Sequence, residues 1–571
     1  MRRTCRHAGP NLDRLRSIFK GDTLKSDAVA GITLGVESVP DGLAGGLLAA
    51  VNPIWGLYGY MVGTFTGALF TSSAFMAVQA TGAMAIVVAD VPVVHSGEDP
   101  DRALWTLAVL TGVFMLAAGI LKLGFLLRFV SNAVMVGFIN AVGVNIILGQ
   151  LENFTGYASD GAGRVLRAID TIFSPFQLNW PTVAVGVITI VLIIALEKTR
   201  LKALGMVAAI ILGSALAVAL NWFDAVDIEL LNDITDVPRS LPRPQLPWLR
   251  IVPQLIVPAL SLAFVGLVQG AGISANFTNP DGSYPDASRD FSGQGIANMA
   301  AGIFQGMPVG GSMSASSLNK TAGAKSRMSL VIAGVVMAVV ILLFANLVGY
   351  IAMPALAGLL MIVGFRTIKP DDIKAVWKTG TMQQTVMGVT FLLTLAIPLQ
   401  WAVMVGVGIS VILVVITQAN RVTVKRRTIP EPGVYVEVDP PATVPPNEVV
   451  ILQPYGSLFF ASAAVFEEAL PEVTPESINS VVILRLRGRS DLGTTFMDVL
   501  ARYAEDLAAV GSKLVLVSAD QQLIEQFNVT GVTAAVGEEN VYPTDDRVGA
   551  AVAEAAEDAT NWIAANQSDQ T

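Results

Sequence analysis

Apolar residues are concentrated in long runs that contain no ionisable side chain. Asp, Glu, Lys, Arg and His do not occur in residues 42–89, 129–151, 251–280, 328–365 and 379–420. Each run exceeds the roughly 20 apolar residues that cross a bilayer as a helix. The pattern therefore predicts a polytopic, mostly α-helical membrane protein. Its fourteen predicted segments are 28–50, 54–73, 78–90, 103–121, 125–148, 181–196, 204–222, 253–276, 291–307, 313–323, 328–350, 353–366, 382–396 and 399–419.

Two of these segments are too short to cross about 30 Å of hydrocarbon. Residues 78–90 and 313–323 are each the third segment of a seven-segment half, and small or polar residues precede both of them. Broken segments in matching positions point to a transport site at the centre of the membrane. Two facing half-helix N-termini would bind an anion through free N–H groups. The alternative is that both are packing turns between ordinary helices.

The hydrophobic period changes after the last apolar segment. A Pro-rich stretch predicts a linker over 421–447, after a basic segment 1–26 and a transmembrane domain 27–420. Beyond the linker, short β-branched runs alternate with helical stretches, which predicts an α/β domain over 448–571. We expect strands at 449–452, 481–484 and 514–517, and helices at about 460–470, 494–510, 521–527 and 546–562.

Composition and charge agree with this division into two parts. The chain is 53% hydrophobic and only 14% charged, whereas about a quarter of the residues of a soluble protein are charged. Residues 1–430 have a net charge of +7, and residues 431–571 have a net charge of −16. The acidic tail argues against nucleic acid as a partner.

Cysteine and histidine are too rare for several kinds of chemistry. The chain has one cysteine, Cys5, and two histidines, His7 and His95. This small number excludes an internal disulfide and a Cys/His metal site, and it argues against Cys–His or Ser–His catalysis. We therefore expect neither enzymatic activity nor a cofactor.

The distribution of basic residues predicts the orientation in the membrane. Seven basic residues precede the first apolar segment, which favours a cytoplasmic N-terminus. Basic connectors, including 197–202 and 366–378, then fall on the same side, and the acidic connectors 95–101 and 223–237 fall on the other. The connector 279–290, with three Asp residues and one Arg, is the exception. An even number of segments places both termini in the cytoplasm.

Two carboxylates occur in the first apolar segment. Glu37 and Asp41 are four residues apart and therefore share one helix face, and we expect Pro40 to break or kink the helix between them. An ionisable residue inside a membrane indicates a functional site. We predict that Asp41 carries a proton, with Glu37 beside it; a purely structural polar contact is the alternative.

Several motifs follow one another along nearly the whole chain. They are Asp27–Thr33, Val39–Asp41, Gly56–Tyr58, Ser131–Leu151, Gln294–Asn298 and, most specifically, Gly310–Ser326. In these motifs the chain resembles the sulfate permease (SulP) family of anion transporters. The resemblance implies a seven-plus-seven inverted repeat in which a core domain binds the anion and moves against a gate domain in an elevator-like cycle. It also implies a homodimer and a C-terminal STAS domain.

The resemblance places the anion between the third and tenth segments, beside the first and eighth. The predicted substrate-binding residues are Gln79, Ala80, Thr81, Gly311, Ser312, Ser314, Ala315 and Ser316, and the predicted coupling residues are Asp41, Glu37 and Gln269.

Three of these positions depart from the family pattern. Ala315 stands where many members have an arginine, so the site depends mainly on backbone dipoles and hydroxyl groups. Gln269 stands where many members have an acidic residue, which disfavours sodium coupling. Asp41 stands where Gln or Glu is frequent, and proton coupling through Asp41 becomes the leading hypothesis.

The predicted function is secondary transport of a small anion, with sulfate, bicarbonate and small carboxylates left open. The alternatives are a nucleobase permease of the same fold, an uncoupled anion pathway, and a membrane protein whose soluble tail is the active part. The motif Gly310–Ser326 and the STAS-like tail favour the anion transporter.

Overall fold

The computed structural model describes residues 23–123, 131–161, 163–201, 204–222, 226–431, 434–489 and 492–568. Most of the predicted basic segment 1–26, with Cys5 and His7, lies outside the described residues. The chain divides into two compact units, Met1–Ser410 and Val411–Thr571.

The first unit is built from helices and two short strands. In chain order they are α1 (Leu24–Leu48), α2 (Pro53–Phe70), β1 (Ala77–Gln79), α3 (Gly82–Ala89), α4 (Val93–Ser96), α5 (Pro100–Ile120), α6 (Asn132–Gly149), α7 (Leu151–Thr155), α8 (Arg164–Phe173), α9 (Trp180–Glu197), α10 (Leu204–Asn221), α11 (Leu231–Ile234), α12 (Val252–Asn276), α13 (Ala287–Ile303), β2 (Gly310–Ser312), α14 (Met313–Thr321), α15 (Met328–Gly349), α16 (Met353–Thr367), α17 (Pro370–Trp377), α18 (Thr381–Ala396) and α19 (Leu399–Ala419).

The predicted helical membrane part is confirmed. Each of the fourteen predicted segments overlaps one of these helices. Among the described residues, seven helices are long and apolar enough to cross a membrane. The number of crossings stays a prediction, because seven of the fourteen predicted segments correspond to helices that meet this criterion of length and composition.

The sequence predicts that Pro40 breaks or kinks the first helix. Helix α1 continues through Pro40 from Leu24 to Leu48, so a break is wrong, and a kink stays a prediction. Close packing against α2 supports the continuous helix, because a side chain at Gly56 would overlap the carbonyl oxygen of Gly42. The chain leaves helical structure later, between α2 and α3, where β1 is formed.

The second unit is an α/β domain around a six-stranded sheet of order β4-β3-β5-β6-β7-β8. Its strands and helices are β3 (Thr423–Glu431), β4 (Val434–Val438), β5 (Val449–Tyr455), α20 (Ala463–Ala469), β6 (Val481–Arg485), α21 (Thr494–Ala509), β7 (Lys513–Ala519), α22 (Gln521–Thr530), α23 (Val532–Val536), β8 (Val541–Pro543) and α24 (Ala550–Ser568). Strands β5 to β8 are parallel, and β3 is antiparallel to both of its neighbours.

Helices cover both faces of this sheet. On one face, the hydrophobic core contains Phe466, Phe496 and Phe527, which come from α20, α21 and α22 respectively. On the other face, α24 packs Ala555 and Ala559 against the strands. The sheet therefore has the two covered faces that parallel strands require.

The segment 421–447, predicted as a linker, contributes strands β3 and β4 to the sheet. Residues Thr423 to Arg427 pair with β5, and Pro430 lies beyond the last of these pairs. The expectation of a linker is wrong here, since proline is tolerated at the end of a strand and next to a sheet edge.

Candidate functional site

The two short segments meet through a pair of antiparallel strands. Ala77, Val78 and Gln79 of β1 lie opposite Ser312, Gly311 and Gly310 of β2, respectively. Helix α3 begins shortly after β1, and α14 begins directly after β2. The strand pair therefore brings the N-termini of two helices together from opposite halves of the first unit.

Both helices begin with a hydroxyl cap. Thr81 Oγ1 accepts a hydrogen bond from the backbone N–H of Met84, and Ser312 Oγ accepts one from the N–H of Ala315, each at 3.4 Å. A helix leaves its first N–H groups without partners inside the helix, and its dipole places positive potential there. Two helix N-termini that meet in this way favour the binding of an anion between them.

Helix α13 holds β2 in place with two buried amide side chains. Asn298 Oδ1 accepts a hydrogen bond from the N–H of Val309 at 2.8 Å, and its Nδ2 donates to the carbonyl oxygen of the same residue. One turn away, Gln294 Oε1 accepts from the N–H of Gly311 at 2.9 Å. Sequence reasoning quoted this motif without a role, although two amides four residues apart were a usable signal.

Two predicted binding residues support the strand pair instead of lining a cavity. Gln79 Nε2 donates to Ser38 Oγ on α1 at 2.9 Å. Ser316 Oγ accepts from the N–H of Ala77 at 3.0 Å and donates to the carbonyl oxygen of Ser312 at 2.6 Å. Both side chains are buried.

A cavity of about 510 Å³ opens at the two helix starts. Eight of the eleven predicted site residues line it, namely Glu37, Asp41, Ala80, Thr81, Gln269, Gly311, Ser312 and Ser314. Gln79, Ala315 and Ser316 are not part of the lining. The cavity thus brings together residues from α1, α3, α12 and α14.

Thr81 and Gln269 are joined directly. Thr81 Oγ1 donates to Gln269 Oε1 at 2.8 Å. The bond connects the start of α3 to α12, and both residues remain partly exposed at the cavity wall.

The carboxylates of α1 line the same cavity together with Tyr60. Among the described residues, neither Glu37 nor Asp41 has a hydrogen-bonding or ion-pairing partner. Carboxyl groups without partners are available for a proton or a ligand.

Two cations at and beyond the end of α16 also line the cavity. Arg366 makes a two-pronged ion pair with Glu197 of α9, with one N–O distance of 2.9 Å. Lys369 has no carboxylate partner among the described residues. The sequence marked both as part of a basic connector, but only the fold places them in the cavity.

Residues 24–390 match the sulfate permease family, and residues 440–550 match the STAS domain. The chain belongs to the sulfate permease family. The predicted resemblance and the C-terminal STAS domain are therefore confirmed.

Relatives of this chain include proteins that are named as transporters of two different anions. A probable sulfate transporter 4.2 of Arabidopsis thaliana is 26% identical, over 90% of this chain and 79% of its own. The bicarbonate transporter BicA of Picosynechococcus sp. is 26% identical, over 71% of this chain and 73% of its own.

A solved structure shows the same fold. The structure of the murine anion transporter Slc26a9 in the inward-facing state has a TM-score of 0.84 and 19% identity. The match covers 98% of this chain and 96% of the mouse chain.

The departure from the family pattern at Ala315 has a structural consequence. Ala315 is buried among Leu34, Ala77 and Leu330 and not at the cavity. Lys320, one turn further along α14, places its Nζ 5.1 Å from the ring centre of Phe277 and does not line the cavity. Within the described residues, the cations of the lining are Arg366 and Lys369.

Two buried aspartates bind backbone N–H groups near the half-helices. Asp27 Oδ1 accepts from the N–H groups of Lys325 and Ser326 at 2.7 and 2.9 Å. Asp290 accepts from the N–H of Ser73 at 3.1 Å and from Ser274 Oγ at 2.6 Å. The sequence pattern placed Asp290 in the connector 279–290. The fold buries it because its partners satisfy the carboxylate.

Proposed function

We propose that this protein is a secondary active transporter of a small inorganic anion or carboxylate, bound between the N-termini of α3 and α14. The observation that carries the proposal is the β1–β2 pair, which brings two helix starts to one cavity. Helix N-termini favour negative charge at short range. The names of the relatives, sulfate and bicarbonate transporters, support the same class of substrate.

The predicted binding residues divide into two groups in this proposal. The hydroxyl groups of Thr81, Ser312 and Ser314 would donate hydrogen bonds to the anion. The small residues Ala80 and Gly311 would let the anion come close to the backbone. Gln79, Ala315 and Ser316 act indirectly, because their side chains fix the strands and the packing of α14.

Proton coupling is the proposed energy source. Asp41 lines the cavity without an ion-pairing partner among the described residues, and Glu37 lies one turn away. The side chain of Gln269 is uncharged and accepts a hydrogen bond from Thr81. It would therefore bind a sodium ion more weakly than a carboxylate at the same position. Sodium coupling is therefore disfavoured.

Two further features of the proposal come from the family resemblance, namely elevator-like alternating access of a core against a gate and a homodimer. The proposed place in the cell membrane with both termini in the cytoplasm rests on the distribution of basic residues and the even number of segments. Residues 27–420 would form the transport domain.

Uptake into proteoliposomes tests the coupling. With an inward proton gradient, the purified full chain should accumulate an anion, and a sodium gradient should not replace the protons. Asp41→Asn should abolish gradient-driven accumulation, because the amide cannot carry a proton, but it should keep downhill exchange. Asp372→Asn, at an exposed position outside the cavity, is the matched control. Unchanged accumulation by Asp41→Asn would refute the proton role, and a steady uncoupled current would favour a channel-like pathway.

A second variant tests the binding site. Ser314 is exposed at the start of α14 and lines the cavity. Ser314→Leu should block anion entry, and Ser314→Ala should raise the KM while the protein stays folded. Wild-type kinetics in Ser314→Leu would contradict the proposed site.

A further inference from the structure

The helices around the cavity pack as two bundles. Helices α1 to α5 pack with α12 to α15 in a first bundle, and α6 to α10 pack with α16 to α18 in a second. The cavity lies between the bundles, because α1, α3, α12 and α14 contribute to one wall and α6, α10, α16 and α18 contribute to the other.

Helix α3 runs from the cavity toward the acidic connector 95–101. Gly82 lines the cavity, and Asp90 caps the other end of the helix, about 12 Å further along. The cations of the lining, Arg366 and Lys369, belong to a basic connector that charge predicts to face the cytoplasm. In the predicted topology, Asp90 therefore lies on the outer side of the anion site.

An ion pair at this outer end joins the two bundles. Arg164, the first residue of α8, places its Nη2 atom 2.8 Å from Asp90 Oδ1, and the same atom donates to the carbonyl oxygen of Ile86 at 3.5 Å. Helix α8 packs on α6 and α7 of the second bundle, whereas Ile86 and Asp90 belong to α3 and its cap. The guanidinium group thus meets a carboxylate and the C-terminal end of a helix, where the helix dipole favours a cation.

This pair is largely shielded from water and lies outside the anion site. The side chains of Arg164 and Asp90 are 22% and 15% exposed, respectively, and neither residue lines the cavity. An exposed ion pair contributes little, but a partly buried pair is screened less, and removal of one partner leaves the other charge uncompensated. The attraction therefore favours the arrangement in which the two bundles touch at this end.

We propose that Arg164 and Asp90 form an outer clamp, which holds the anion-binding half-helix α3 against the second bundle while the cavity faces the cytoplasm. The pair separates when the cavity opens to the outside. The inference rests on the proposed function, because alternating access requires the bundle that carries α3 to move against the other. Arg164 is a positioning residue, since it acts through α3 and not on the anion.

Cysteine accessibility tests the clamp without a need for transport. In a Cys5→Ser background, Val268→Cys places a thiol on α12 at the cavity wall. The measured quantity is the labelling rate by an impermeant maleimide in right-side-out vesicles, divided by the rate in inside-out vesicles. Asp90→Asn and Arg164→Gln should each raise this ratio about fivefold or more, because each removes the attraction that keeps the outer side closed.

A charge swap separates the ion pair from other effects of the two substitutions. In Asp90→Arg with Arg164→Asp, the pair is reversed, the new arginine lies at the C-terminal end of α3, and the new aspartate lies at the N-terminal end of α8. Both ends suit the helix dipole. The swap should therefore return the ratio to within about twofold of the reporter protein.

Two neighbouring charges provide matched controls. Glu98→Gln in the acidic connector and Arg167→Gln on α8 remove exposed charges and should leave the ratio unchanged. The clamp is overturned if Asp90→Asn and Arg164→Gln leave the ratio unchanged or lower it, or if the swap fails to restore it. Loosened packing would speed labelling from both sides equally, so it would leave the ratio unchanged and also overturn the clamp.

Anion uptake by the wild-type chain, measured in parallel, tests the proposed function separately. Uptake by the wild type together with an unchanged ratio in both single variants overturns the clamp and leaves the proposed function standing. Absence of uptake by folded wild-type protein overturns the proposed function, whatever the ratio.

Discussion

Asn298 binds both the N–H and the carbonyl oxygen of one residue, Val309, which lies directly before β2. Gln294 accepts a hydrogen bond from the N–H of Gly311 within that strand. These amides were visible in the sequence as part of a motif, but their partners were not, because Val309 is eleven residues away from Asn298 along the chain.

Truncation of this amide should loosen the site. Asn298→Ala leaves the N–H and the carbonyl oxygen of Val309 buried without partners, at a cost of roughly 2 kcal/mol or more. We expect a lower melting temperature in detergent and a loss of anion uptake. Asn276→Ala is the control, because the Asn276 side chain is exposed and bonds only within its own helix. Equal melting temperatures for both variants would show that the bonds to Val309 contribute nothing.

Helix α12 and strand β2 touch through glycine backbones. A Cβ atom at Gly311 would lie 2.9 Å from the Cα atom of Gly270, closer than real side chains approach. Sequence patterns predicted α3 and α14 from their short apolar lengths, whereas this contact depends on how α12 lies against β2. The length of an element follows from the local sequence, whereas the element that packs against it depends on the whole fold.

An added methyl group tests this contact. Gly311→Ala should push β2 away from α12, lower the melting temperature and reduce uptake at least tenfold, because backbone atoms cannot move aside cheaply. Gly388→Ala on α18 is the matched control. Nothing lies within 4 Å of a Cβ atom at Gly388. Because glycine destabilises the interior of a helix relative to alanine, Gly388→Ala should raise the free energy of unfolding by about 0.5–1 kcal/mol. Normal uptake by Gly311→Ala would mean that the close approach is not needed for transport.

The whole chain combines a helical membrane unit with an acidic α/β unit. Charge along the sequence predicts which connectors share a side of the membrane. Ser96 lies in an acidic connector and Thr199 in a basic one, and both are exposed. These two positions report the orientation directly.

Cysteine labelling tests that orientation. In a Cys5→Ser background, which removes the single native thiol, Ser96→Cys should react with an impermeant maleimide added outside intact cells. Thr199→Cys should react only after the membrane is opened. Labelling of both positions from outside would refute the predicted topology, and reversed labelling would invert it.

Length, hydrophobicity and motifs are local properties of the chain, and they were enough to predict the apolar segments, the change to an α/β tail and the family. The same properties located the two half-helices. Three features became visible only in the folded chain: residues 77–79 pair with residues 310–312, Ala315 faces an apolar cluster, and Arg366 lines the cavity. Each of these depends on contacts between distant parts of the chain. No local pattern fixes such contacts, because the packing of whole helices determines which faces meet.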